Sequence, residues 1–338
     1  MSEIRIELSP PPAGRLVALD ELKGLAIALI ILFHAGGVLV WNNYLHGDLG
    51  VDMFIFLSGL GLAYGSRSGP AGAFLLRRAW RILPAYWVVL TIYLIGNRHF
   101  LQLHYSTPNV VAHYLGIQVL FGDPWGLAIN DSFWFVSAIL GLYVCYLPFR
   151  RLLERPDRFL LAAAILSTGV ALLLFFTNNS GLTGLLGFRM GGFFLGMLAG
   201  HTLKTGRLVV PLNSTLALGM LIFGYVPYMR GITFFSSLVA LAVMAAYVWW
   251  LRPRLANPRA GGLAGILAFL GRHSLEIFLI HQPLMREYNY YLLGRWFHLA
   301  QPGAGPLIAG MAVALVVTLV ASVELHRLLQ KLPNPVKA

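Results

Sequence analysis

Charge is what this sequence has least of. Asp, Glu, Lys and Arg together make up 11% of its 338 residues, where an ordinary soluble domain carries roughly a quarter. A water-soluble globule is excluded. Acid is scarcer than base, 13 residues against 25, which leaves a formal net charge of +12 and a pI near 10.1. There is a single cysteine, Cys145, inside an apolar run, so no intramolecular disulfide forms and the thiol reads as a small packing group. The sequence has no group of ligands at metal spacing, no glycine loop of the phosphate-cradling type and no G-x-S-x-G elbow; Ser58 sits in FLSGLGL, which is flanked differently. No fixed-period repeat or low-complexity linker divides the chain, so 1–338 reads as a single domain.

What is abundant is apolar surface: 58% of the residues are hydrophobic and the mean hydropathy is +0.72. A helix needs about 20 apolar residues to cross a hydrocarbon layer of about 30 Å. Ten such runs are legible, at 22–41, 49–65, 81–96, 133–149, 158–176, 184–203, 208–228, 232–251, 263–285 and 306–326. The fold expected is therefore all-α and polytopic, with about ten transmembrane helices and no room for a soluble catalytic domain. Nineteen of the 25 lysines and arginines fall on the side of the N-terminus and four on the other, so the positive-inside rule places both termini in the cytoplasm. That asymmetry accounts for the basic pI without a nucleic-acid partner. Residues 1–18 form a cytoplasmic tail, and the first apolar run, lacking a small-residue cleavage site, is expected to be retained as a helix. The longest connection, 97–132, lies outside; its piece 110–121 is too short to cross and reads as an interfacial or re-entrant helix.

Ionisable groups inside a span are expensive, so each is a functional hypothesis. His34 lies in the first run, roughly 10 Å below the outer surface at 1.5 Å per residue. Asp52, just inside the outer end of the second run, approaches the same depth on an antiparallel neighbour. A carboxylate on one imidazole nitrogen fixes the tautomer and makes the other a better base toward a hydroxyl; on these residues alone, a buried packing histidine is the competing reading. Arg77, Arg78 and Arg81 cluster where the third run enters from the cytoplasm. Guanidinium forks suit phosphate, although inner loops are arginine-rich for topological reasons alone. In the ninth run Glu276 and His281 are five residues apart and point to different sides; His281, before Gln282 and Pro283, is the one expected to face a cavity. Arg189, at the outer end of the sixth run, either contacts substrate or snorkels. Gly192, Gly196 and Gly200 recur every four residues, a stripe for close helix packing.

Four stretches in this order resemble the membrane acyltransferase 3 family of integral-membrane O-acyltransferases. LDELKGLAIALIILFH, with Lys23 and His34, is similar to the family's opening signature. GVDMFIFLSGLGL matches its G-V-D-x-F-F-x-x-S-G-F motif at Gly50, Val51, Asp52, Phe54, Phe56, Ser58 and Gly59. RRAWRILPAYW supplies the arginine motif, and LGRHSLEIFLIHQPL the closing one, with His281 and Pro283. The arginine spacing is Arg77-Arg78-x-x-Arg81 rather than R-x-R, and the segment of Trp134 and Ser137 lacks the glutamate of the family's W-S-L-x-x-E motif.

The resemblance implies transfer of an acyl group, usually acetyl, from cytosolic acetyl-CoA to a hydroxyl of a carbohydrate or lipid-linked glycan acceptor, in the cell inner membrane and without a metal. It marks His34 as catalytic and Arg77, Arg78 and Arg81 as donor-binding; Asp52 is the expected partner of His34 from its position in the second run, and Lys23 is expected to join the donor-binding arginines. Trp134, Ser137, Arg189 and His281 are expected to contact substrate. The rival class is a proton-coupled transporter or flippase, in which His34, Asp52, Glu276 and His281 would form a relay; the internal symmetry of such folds is not evident in the sequence.

Overall fold

A computed structural model describes residues 3–7, 17–40, 48–65, 69–122, 128–176, 189–211, 233–255, 261–297 and 303–333. These form α1 (Val17–Val40), α2 (Asp48–Tyr64), α3 (Ala71–His99), α4 (Thr107–Leu115), α5 (Trp134–Phe149), α6 (Pro156–Phe176) and α7 (Met190–Thr205). After them come α8 (Thr233–Ala246), continued through a π-helical turn at Tyr247–Leu251 into α9 (Arg252–Leu255), then α10 (Gly261–Arg272), α11 (Ser274–Met285), α12 (Glu287–Phe297) and α13 (Ala304–Gln330).

Among the described residues the regular structure is helical as expected, with one exception. Strands β1 (Glu3–Glu7) and β2 (Arg207–Pro211) pair antiparallel, Glu3 opposite Pro211 and Glu7 opposite Arg207. The segment EIRIE alternates apolar and charged residues with period two, the strand repeat rather than the helical one, and β2 contains Val209 and Val210, which favour extended backbone. The expected span 208–228 therefore begins as strand. Its remainder from 212 lies outside the described residues, as do 184–188 of the sixth span and Asp123 and Trp125 of the outer connection.

Burial shows what surrounds the bundle. On α13, Thr318 and Ser322 are fully buried, whereas Val313, Val316 and Val320 are about as exposed as surface lysines usually are, at 64%, 61% and 59%. Hydroxyls inward and valines outward is the inverse of a water-soluble helix, and it suits a hydrocarbon surround. The protein is a membrane protein. Among the described residues α3 and α13 are each long and apolar enough to cross a membrane alone, and α10 with the helix that follows it passes the same test only as a bent pair.

That bend corrects the expectation for 263–285, which does not run as one straight span. The axis turns by 83° between Arg272 and Ser274. His273 leaves the helical region, at φ −103° and ψ 12°, and its ring Nδ1 sits 3.0 Å from the carbonyl of Phe269. α10 instead crosses α1: a Cβ on Gly271 would collide with the carbonyl of Asp20, so only glycine permits that approach. Gly196 of the expected glycine stripe does the same for α2 and α7, its missing Cβ being replaced by the carbonyl of Phe56. The principal core lies among α3, α5, α6, α7 and α11, where Tyr86, Phe133, Tyr146, Phe159, Phe193 and Phe194 are all fully buried.

Candidate active site

Two histidines meet inside the bundle. His34 on α1 and His281 on α11 approach to 2.8 Å, Nδ1 to Nε2, with ring centroids 4.9 Å apart. The surroundings assign the protons. His281 Nδ1 faces the carbonyls of Phe278 at 2.9 Å and Ile277 at 3.1 Å, and carbonyls only accept, so Nδ1 carries the hydrogen. In the neutral ring Nε2 then accepts from His34 Nδ1–H, which leaves the lone pair of His34 on Nε2. A carbonyl, an imidazole and a second imidazole thus stand in a directed series ending in a base.

Helix α11 is held where this requires. Gln282 accepts a 2.8 Å hydrogen bond from Ser132, Tyr93 donates to the carbonyl of Ile280, and Arg286 forms a 2.9 Å ion pair with Asp131. Above α11, Asn97 bonds Tyr105 at 2.8 Å and receives Tyr288 at 3.0 Å. The connection that bears Tyr105 continues into α4, whose His113 is buried with Nδ1 2.9 Å from the carbonyl of Asn109; burial lowers the pKa of this imidazole, so it stays neutral as a structural group.

Asp52 is not the partner of His34. It pairs with Arg189, Nε to Oδ1 at 2.9 Å, and both side chains are buried at 7% exposure or less. The Arg189 guanidinium also lies 5.1 Å from the ring centre of Trp134. The physical reason is register together with charge: Gly50 packs against Ala26 and Ile30, which leaves Asp52 short of His34 along α1, and a buried carboxylate gains more from a permanently charged guanidinium than from a neutral ring. Arg189 caps the start of α7 and Trp134 opens α5, so the three groups join α2, α5 and α7. Ser137, one turn below Trp134, has its hydroxyl buried without a partner among the described residues.

A cavity of about 670 Å³ opens between the first turns of α1, the first half of α3 and the last turns of α13. Lys23, Arg78, Arg81 and Arg272 line it, together with Asp20, Glu276 and His326. Arg78 is steadied by the rings of Phe74 and Tyr143, at 5.6 Å and 5.9 Å. Arg77 is exposed and is not part of the lining. Of the groups not singled out by sequence, Arg272 enters because α10 ends beside α1. His326 enters because Glu276 holds its Nδ1 at 2.7 Å; a lone histidine near the end of the last helix carries no signal until the fold supplies that acid. The far end of the cavity is apolar, with Phe54, Phe135 and Phe278. Among the described residues, no group of three or more His, Cys, Asp or Glu could hold a metal ion.

Geometry of this kind can bind an anionic head at one end and offer a base beyond the other. An 88-residue stretch is 36% identical to the "Putative membrane-bound transacylase BcsY" of Komagataeibacter xylinus. The stretch covers 25% of this chain and 21% of that relative. No solved structure matches. Residues 16–323 match the family described as an acyltransferase domain, which is most of the chain: the protein belongs to the acyltransferase 3 family.

Proposed function

We propose that the protein is a membrane O-acyltransferase that moves an acyl group, acetyl in the first instance, from cytosolic acyl-CoA to a hydroxyl of an envelope or exported glycan, and that it works in the cell inner membrane. The observation that carries this reading is the juxtaposition along one bundle axis of a cation-lined cavity and a directed histidine pair. Coenzyme A offers phosphates for Lys23, Arg78, Arg81 and Arg272, and charge-assisted hydrogen bonds to phosphate are the strong kind. Its pantetheine arm extends along the apolar part toward the histidines. The acceptor reaches them from the opposite side, below Asp131, Arg286 and Tyr288.

In the chemical step His34 Nε2 takes the proton of the acceptor hydroxyl while that oxygen attacks the thioester carbonyl. The C–S bond breaks, an ester forms, and the imidazolium returns the proton to the departing thiolate. His281 keeps the His34 ring in the tautomer that presents Nε2. No metal or redox group enters the balance.

Ten spans with both termini in the cytoplasm complete the proposal. The β1–β2 pairing puts the N-terminal segment and the end of α7 together, which fits an even number of crossings between them; the choice of side rests on the lysine and arginine count. The direct test incubates detergent-purified protein with acetyl-CoA and candidate glycans and follows both products by mass spectrometry. Acetylated glycan and free CoA in equal amounts are expected; a folded protein that binds no CoA would end this reading.

A further inference from the structure

Between the cation-lined cavity and the histidine pair lies a layer of three rings. Phe54 on α2 and Phe135 on α5 have centroids 6.3 Å apart, and Phe135 and Phe278 on α11 are 5.0 Å apart. All three line the cavity, whereas His34 and His281 do not. Phe278 also contacts the other side, its ring centre 5.9 Å from that of His281. Phe135 and Phe278 are 9% and 4% exposed.

We propose that Phe54, Phe135 and Phe278 are the acyl-selecting wall of the donor site. The proposal rests on the donor reading above. A CoA thioester whose phosphates sit among Arg78, Arg81 and Arg272 arrives at this layer acyl end first. A two-carbon acyl group reaches the histidines by tilting one ring. Each further methylene needs volume that the three rings already fill, and close-packed interiors do not yield it without strain. The wall admits short acyl groups and rejects long ones.

The wall is also anchored to the buried ion pair. Phe54 is two residues after Asp52, and Phe135 follows Trp134, against whose face Arg189 lies. Trp134 and Phe135 meet edge to face, with centroids 6.0 Å apart.

The test measures binding of CoA, acetyl-CoA, butyryl-CoA and octanoyl-CoA to the detergent-purified protein, to Phe278→Ala and to the milder Phe278→Leu. Wild type is expected to hold CoA and acetyl-CoA alike and octanoyl-CoA about tenfold or more weakly, the scale at which apolar pockets reject extra methylenes. In Phe278→Ala that discrimination should collapse, read as the ratio of octanoyl-CoA to acetyl-CoA affinity and therefore independent of any change in affinity for CoA itself; Phe278→Leu should lose part of it and covers the case in which the alanine variant does not fold. A chain-length profile unchanged in the folded variants overturns the wall. Failure of folded wild type to bind CoA or acetyl-CoA is a different result: it removes the donor reading, and the wall with it.

Discussion

His34 Nδ1 and His281 Nε2 stand 2.8 Å apart and join α1 to α11 across 247 positions of sequence. The contact makes two helices at opposite ends of the chain into one chemical unit. Because His281 Nδ1 is committed to backbone carbonyls, the pair has one direction, and the basic nitrogen is on His34.

Removing that nitrogen should stop the reaction without emptying the donor site. His34→Ala is expected to lower transfer about 10²–10⁴-fold, the usual worth of a positioned general base, with CoA affinity unchanged. His281→Ala leaves the base present but unoriented and should cost less, on the order of 10–100-fold. Steady-state rates and CoA titrations on the same preparations separate the two effects. Wild-type turnover in folded His34→Ala would take the pair out of the chemistry.

Asp52→Asn should be a stability variant before it is a catalytic one. Its carboxylate balances a buried guanidinium, and stripping one partner from such a pair costs about 3–5 kcal/mol. Thermal unfolding in detergent should show the loss, and Asp52→Asn combined with Arg189→Gln should be less destabilised than the two single losses added together. An unaltered midpoint in Asp52→Asn, with transfer reduced as far as in His34→Ala, would return Asp52 to the catalytic group.

The arginines should divide by position. Arg78→Ala, Arg81→Ala and Arg272→Ala each remove a cation from the cavity, and a charge-assisted bond to phosphate is worth about 1.5–3 kcal/mol, roughly a tenfold or larger rise in the dissociation constant of CoA. Arg77→Ala, exposed and outside the lining, should change it about twofold at most. Calorimetric titration with CoA decides, and equal losses at Arg77 and Arg78 would make the effect one of general surface charge.

Sidedness is open to labelling. With Cys145 replaced by alanine, a cysteine at Gly69 should resist an impermeant maleimide added to intact cells, and one at Gln102 should react. Both positions are outside the helices, so the readout reports the side of the membrane rather than burial. Labelling at Gly69 from outside inverts the topology.

Composition and local pattern alone determined the membrane class, the helical architecture and the family. Apolar runs of span length are a statement about solvent, and they need no tertiary contact to be read. The motifs around His34, Asp52, Arg78 and His281 were legible for the same reason, each being a local string. Period-two alternation in EIRIE was equally local, yet it indicates only that the segment is extended; its partner strand begins some 200 residues later.

Pairing was decided by tertiary structure. Sequence spacing puts Asp52 and His34 at a similar depth, but Gly50 packs against Ala26 and Ile30, so Asp52 lies short of His34 along α1, and the packed register gave Asp52 to Arg189 and His34 to His281. The turn at His273 depends on α10 fitting against α1 through Gly271, a contact that no hydropathy window contains. Arg272, His326 and the three phenylalanines of the wall come from α2, α5, α10, α11 and α13. Each is unremarkable in its own segment, because a cavity is a property of the space between helices, and that space exists only once they have packed.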